Sequence, residues 1–324
     1  MINEQFGNFH PMKSKNSEKK TLVIASPRGF CAGVTRAIEV VERALELWGP
    51  PVYVKHEIVH NQFVVDRLRD KGAIFVQELA EVPTGSQVIF SAHGVPPSTV
   101  AEAGDKGLKV TDATCPLVTK VHKEASRYSK DEFDILLIGH KNHVETIGTK
   151  GVATERTTVV ENVEDALRVE VSNPDKVAVL TQTTLSVDDT EEIEVVLRKR
   201  FPKLQAPSKS DICYATTNRQ VAIKEICKEV DLVLVVGSRT SSNSNRLREV
   251  AQKRGVTSYL ISDENEIQPE WLQGISKIGM TAGASTPEVI IMRCISRLRN
   301  LGINEVLEKP VIEESVTFNI PRMG

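Results

Sequence analysis

Thr111-Asp112-Ala113-Thr114-Cys115-Pro116 lies where one periodicity gives way to another. Before it, Leu108-Lys109-Val110-Thr111 reads as a short strand; after it, Leu117 to Tyr128 carries an amphipathic helical pattern. Pro116 suits the first helical position, where a missing N–H leaves nothing unpaired. Cys115 therefore sits at a helix N-terminus, where the positive end of the dipole favours thiolate over thiol. Such a thiolate is either a nucleophile or a metal ligand.

The same arrangement occurs three times. Leu22-Val23-Ile24-Ala25 is a strand followed by a turn that ends in Cys31, and a helical pattern follows from Thr35 to Leu47. Asp211-Ile212-Cys213 opens another helix. Each cysteine is followed by a strand that ends in a polar loop: Cys31 precedes His60 by 29 residues, Cys115 precedes His143 by 28, and Cys213 precedes Ser241 by 28. A second strand in each unit ends in another polar loop, at His93, at Thr183-Thr184 and at Ser285. Ser186 with Asp189 reads as a capping box, and Thr286 with Pro287 as an N-cap followed by a first helical residue. The pattern predicts an α/β fold: three small units with mostly parallel sheets around a pseudo-threefold axis. Ligands of such sheets bind beyond the carboxyl ends of the strands, so the polar loops should converge on a central cavity. The boundaries read as an N-terminal extension without regular structure (1–20), a first strand and cysteine turn packing with the third unit (21–32), units at 33–115, 116–209 and 210–299, and a tail (300–324).

The chain has 324 residues, a formal charge of −2 and 40% hydrophobic residues, enough for a sizeable core. Near-neutral charge gives no reason to expect nucleic acid or an acidic membrane surface, and no apolar run is long enough to span a bilayer. The polar Met1–Lys20 stretch lacks the apolar centre of a signal peptide, which points to the cytoplasm. The five cysteines argue against a disulfide framework. Cys227 and Cys294 fall inside helical apolar patterns and read as core.

Cys31, Cys115 and Cys213 are different. A cysteine nucleophile needs one thiol and a base, whereas three thiolates around a point need a cation. Zinc with three thiolates and a fourth ligand is one option, although structural zinc usually draws on close pairs such as C-x2-C, and none occurs here. Iron–sulfur clusters accept widely spaced cysteines; three would leave one iron of a 4Fe–4S cluster open. His60, His93, Ser241, Ser242, Asn243 and Ser285 supply hydrogen-bond donors at helix starts with little Lys or Arg, which suits a phosphate ester or diphosphate. Glu145 is the acid in these loops with a histidine, His143, two residues away and a hydroxyl pair, Thr183 and Thr184, in the matching loop. Enclosure would raise its pKa and let it deliver a proton. Asp112 and Asp211 read as local turn or cap groups.

The blocks Pro27–Val34, His56–Asn61, Phe90–Val95, Asp112–Val118, Thr181–Ser186, Asp211–Gln220, Ser241–Leu247 and Thr281–Ser285 resemble, in order, the 4-hydroxy-3-methylbut-2-enyl diphosphate reductase family. The resemblance spans roughly Thr21 to Leu301. It implies an oxidoreductase that removes the hydroxyl of an allylic diphosphate with two electrons and two protons, the last step of the non-mevalonate isoprenoid pathway. It implies one 4Fe–4S cluster on Cys31, Cys115 and Cys213, and a diphosphate pocket from His60, His93, His143, Ser241, Ser242, Asn243 and Ser285. Glu145 would be the proton donor, Thr183 its relay, and ferredoxin or flavodoxin the source of electrons. The chain departs from the family's His-Pro-Glu pattern at Val144 and carries Ile147 where an acid is common. Rival readings are a three-cysteine cluster dehydratase of the quinolinate synthase type, and an iron–sulfur sensor that needs no proton donor.

Overall fold

The computed structural model describes residues 19–323. Most of the N-terminal extension expected over 1–20 lies outside the described residues. Lys19 and Lys20 are within them and are tied to the body of the protein: Lys20 Nζ donates to Leu272 O at 2.7 Å, and Lys19 pairs with Glu305 at 3.1 Å.

Three separate sheets form, every pairing parallel. The first carries β2 (Val52–Lys55), β3 (Ala73–Val76), β4 (Gln87–Phe90) and β5 (Lys109–Asp112) in the order β3-β2-β4-β5. The second carries β6 (Asp134–Ile138), β7 (Thr157–Val160) and β8 (Val177–Thr181) in the order β7-β6-β8. The third joins β1 (Thr21–Ser26), β9 (Leu232–Val236), β10 (Thr257–Ile261), β11 (Lys277–Ala282) and β12 (Glu305–Pro310) in the order β10-β9-β11-β1-β12. Strand β1 therefore lies at the opposite end of the sequence from its neighbours β11 and β12.

The central strands are apolar on both faces because helices cover both. All five residues of β9 and four of the five of β6 (Ile135 to Ile138) are buried, as continuous apolar runs of central parallel strands should be. Edge strand β5 instead exposes Lys109, Val110 and Asp112. Helix α1 (Ala32–Trp48) shows why the long helices dock: Gly33, Arg36, Ala37, Val40, Val41 and Ala44 recur at helical spacing and all are buried.

Helix α1, α4 (Pro116–Lys130) and α8 (Tyr214–Ile226) each begin immediately after one of the three cysteines, which are their N-caps. Pro116 is the first residue of α4, where the sequence placed it. Ser186 caps α7 (Val187–Arg200) by accepting from Asp189 N at 3.2 Å. Thr286 departs from expectation: its hydroxyl donates to Val236 O at 2.9 Å, and Pro287 takes the cap of α10 (Glu288–Asn300). Asp112 is local, accepting from Thr114 N at 2.9 Å, but Asp211 is not. Buried, it accepts from Thr181 N at 3.1 Å and from Lys120 Nζ at 2.9 Å, so it joins β8 to α4.

Candidate active site

The carboxyl ends of β2, β4, β6, β8, β9 and β11 face one cavity of about 760 Å³, its mouth included. Every site residue singled out from the sequence lines it: Cys31, Cys115 and Cys213; His60, His93 and His143; Glu145; Thr183 and Thr184; Ser241, Ser242 and Asn243; and Ser285.

The thiols arrive on three helix N-termini. Cys213 Sγ accepts from Thr216 N at 3.3 Å and contacts Thr216 Oγ1 at 3.1 Å. Helix-end N–H groups of Leu117 and Val118 bond Cys115, yet burial outweighs them and pushes that thiol up to about 12; burial likewise pushes Cys213 up to about 11. At Cys115 and Cys213 burial thus outweighs the helix ends, contrary to the expectation from the Cys115 turn. A buried cation would favour the thiolates, because it offsets the desolvation that dominates the shift.

The donor set fits a polynuclear centre better than a single ion. Among the described residues, no group of three or more His, Cys, Asp or Glu side chains is close enough together to hold one metal ion. The sulfurs instead border a shared space that a single methyl would enter: a Cβ on Gly33 would lie 2.8 Å from Cys115 Sγ and 3.8 Å from Cys31 Sγ. Helical Gly→Ala ordinarily stabilises by ~0.5–1 kcal/mol. At Gly33 the sign is expected to reverse: Gly33→Ala should lower the stability of metal-free protein by ~1–3 kcal/mol through overpacking and reduce bound iron. Thermal denaturation and iron analysis check this, and a stabilised variant with full iron would contradict it.

The same cavity is lined by a group of three histidines. The rings of His60 and His93 stack with centroids 4.1 Å apart, and His143 meets them edge-on at 5.4 and 6.1 Å. Burial, then mutual repulsion, holds His93 well below the usual histidine range and His143 down to about 3, so both are neutral at physiological pH. His143 Nδ1 accepts from Glu145 N at 3.2 Å, which places the ring proton on Nε2. That Nε2, and Nε2 of His60, are buried without a partner. So are both side-chain polar atoms of Asn243, a residue only 3% exposed. Unpaired buried donors and acceptors cost free energy, and several facing one cavity mark a place for a polar ligand.

Other predicted contacts are partly occupied. Ser241 accepts from Ser244 N at 3.3 Å as the cap of α9 (Ser242–Lys253), Ser242 donates to Thr184 O at 3.3 Å, and Ser285 donates to His60 O at 3.0 Å. Sequence reasoning missed Gln182, 1% exposed, which ties these loops together. Its Oε1 accepts from His140 N and Thr146 Oγ1, and its Nε2 donates to Thr184 Oγ1 and Ser242 Oγ. It was visible only as part of the Thr181–Ser186 block. Tyr214, whose hydroxyl accepts from Ala32 N at 3.2 Å, and Phe318 also line the cavity.

Glu145 is 2% exposed. Its carboxylate accepts from Thr183 N at 2.6 Å and from Thr183 Oγ1 at 3.0 Å. Burial nevertheless prevails over these two bonds and raises it to about 7. It is thus an acid able to hold or release a proton near neutrality.

Fold and site together define a three-unit parallel α/β enzyme with a thiol-lined centre facing a single acid. Comparison with known proteins narrows this. The LytB protein family model matches residues 22–299, and the chain belongs to that family. Among its relatives, the 4-hydroxy-3-methylbut-2-enyl diphosphate reductase of Neisseria meningitidis serogroup B (strain MC58) is 53% identical over 305 residues, 94% of this chain and 95% of that protein. One from Burkholderia mallei (strain ATCC 23344), named 4-hydroxy-3-methylbut-2-enyl diphosphate reductase 2, is 54% identical over 301 residues, 93% and 92% of the two chains. A solved structure of the E-1-hydroxy-2-methyl-but-2-enyl-4-diphosphate reductase from Plasmodium falciparum superposes with a TM-score of 0.89 at 42% identity, covering 95% of each chain.

Proposed function

We infer that the chain reduces (E)-4-hydroxy-3-methylbut-2-enyl diphosphate, replacing its hydroxyl by hydrogen to give isopentenyl and dimethylallyl diphosphates. Two electrons and two protons enter and one water leaves. The observation that carries this reading is Glu145, a buried acid raised to about 7 in the same cavity as three thiols and a set of unpaired polar atoms. The names carried by the relatives at 53–54% identity support the reductase over a quinolinate-synthase-like dehydratase. A sensor would have no use for such an acid.

Cys31, Cys115 and Cys213 would hold a 4Fe–4S cluster, which when bound supplies electrons and Lewis acidity. The chain's own residues do the rest. Asn243, Ser241, Ser285 and the neutral His143 Nε2–H would bind the diphosphate by hydrogen bonds rather than by fixed positive charge, the Ser285 hydroxyl by turning from His60 O. His60 and His93 complete that wall, while Ser242 and Thr184, cross-linked through Gln182, hold the loop in register. Val34, Leu117 and Phe318 add apolar side chains to the lining of the cavity. Glu145 stores a proton on its carboxyl, and the Thr183 hydroxyl fixes which oxygen carries it. Electrons would come from a small one-electron carrier such as ferredoxin or flavodoxin, and the enzyme would act in the cytoplasm. No helix among the described residues is long and apolar enough to cross a membrane.

Protein purified anaerobically should contain about four irons and four sulfides per chain, and should convert the allylic diphosphate with a chemical reductant. A single tightly held zinc, or iron without turnover, would overturn the assignment.

A further inference from the structure

Two buried arginines, far apart in sequence, share one design. Arg219 is fully buried. Its Nε and Nη2 donate to Gly29 O at 3.2 and 2.7 Å, two residues before Cys31, and its Nη1 donates to Ala215 O at 3.0 Å, two residues after Cys213. Arg36 donates through Nη1 to Ala113 O and Thr114 O, both at 3.1 Å, the two carbonyls just before Cys115. Between them the two guanidinium groups hold the backbone beside all three thiols. Arg219 Nη2 also reaches Phe30 O at 3.5 Å, and the remaining partner of each guanidinium belongs to the C-terminal segment. Glu314 Oε1 accepts from Arg219 Nη1 at 3.0 Å and from Asn218 Nδ2 at 3.1 Å, and Asn319 O accepts from Arg36 Nε at 2.8 Å.

The segment is anchored at both ends as well. Val311 N donates to Ser26 O at 2.9 Å, continuing the β12–β1 ladder, and Met323 packs on the apolar core beneath the first sheet. Between these points Phe318 meets the cavity. Such an irregular stretch, tied beyond Val311 by side chains rather than by a sheet, can open without unfolding any unit.

We propose that residues 311–323 form a detachable wall of the active site, pinned by Arg219–Glu314 and Arg36–Asn319, that governs solvent access to Cys31, Cys115 and Cys213. The access claim stands on the metal-free thiols, and only its consequence for iron retention rests on the cluster reading above. Glu314 and Phe318 have distinct parts: Glu314 neutralises the buried guanidinium, and Phe318 covers the cavity.

Three proteins test this: Glu314→Gln, Phe318→Ala and a chain ending at Pro310. Alkylation of each cysteine by iodoacetamide is followed by mass spectrometry in metal-free protein, with buried Cys294 as internal reference. Iron loss to a chelator is followed in the anaerobic holoprotein. The truncated chain should alkylate Cys31, Cys115 and Cys213 at least about tenfold faster with Cys294 unchanged, and the point variants by smaller factors. Iron should leave faster in the same order. Rates within twofold of wild type in all three proteins would overturn the proposal, as would parallel acceleration at Cys294, which marks general loosening. Should the truncated chain fail to fold, the two point variants decide by the same criteria. Absence of iron from every protein alongside selective alkylation would refute the cluster and leave the wall supported.

Discussion

Glu145→Gln is expected to bind the allylic diphosphate and to turn it over on the order of 10²–10⁴-fold more slowly, the usual contribution of a general acid. The substitution preserves geometry. A glutamine Oε1 still accepts from Thr183 N, now at 2.6 Å from the carboxylate, and the Thr183 hydroxyl can turn to accept from the new amide N–H. What disappears is the proton. KM should therefore change little while kcat falls, the pattern of an interaction used only in the transition state. The same residue sets a pH dependence whose sign is fixed. Folding raises the Glu145 carboxyl from 4.5 to about 7, so between those values the native state holds a proton that the unfolded chain has released. Its contribution is most favourable below 4.5, declines as pH rises, and has lost about 3 kcal/mol above 7. Glutamine has no such term, so Glu145→Gln should gain stability relative to wild type as pH is raised from 5 to 8. Wild-type turnover by the variant would remove Glu145 from the chemistry; a pH-independent stability difference would show that it is ionised in the fold at all pH values above 4.5.

What could be read from the sequence follows from how local each determinant is. The cysteine turns were legible because strand, cap and helix are consecutive: Cys115 and Pro116 need only their neighbours to announce an N-terminus. The threefold repeat of that turn then implied convergence, since parallel sheets present their carboxyl ends together. Determinants that act across the chain were not legible. Asp211 resembles a cap in its own segment, yet its partners are Thr181 and Lys120. Thr286 looks like an N-cap until Val236 O, reached only through the β9–β11 pairing, claims its hydroxyl. Strand β12 is half-exposed or exposed throughout and has only Val306-Leu307 as an apolar pair, because it forms the edge of its sheet and pairs with β1 from the far end of the sequence. The tail beyond it carries no periodicity because it has no regular hydrogen bonding to impose one; it is held by Arg36 and Arg219, side chains of α1 and α8 that lie far from it in sequence. Val144 lies where proline is best tolerated, at the first residue of the helix α5 (Val144–Val152), so Val144→Pro would stiffen the Glu145 loop without breaking a helix.

Cys115→Ser separates ligation from folding. Serine is among the preferred N-cap residues, worth roughly 1 kcal/mol over alanine, and the backbone of residue 115 keeps its bond from N–H to Ala92 O at 3.0 Å. The metal-free variant should thus fold and melt within a few degrees of metal-free wild type. A hydroxyl, however, is a hard donor that stays protonated at neutral pH, and soft thiolate is what iron–sulfur clusters require. Iron and sulfide should fall to a small fraction of wild type and turnover should vanish. Cys294→Ser supplies the opposite case. Cys294 is fully buried in the core beneath the third sheet, away from the cavity. A serine hydroxyl there would be desolvated, at a cost of about 1–3 kcal/mol, yet iron content and activity should remain. The pair therefore exchanges phenotypes: one substitution removes the cluster and spares the fold, the other weakens the fold and spares the cluster. Iron content equal in wild type and Cys115→Ser would exclude Cys115 as a ligand. Equal iron loss in both variants would mean that any loosening of the fold releases the cluster, and that the three cysteines hold it no more firmly than the core around them.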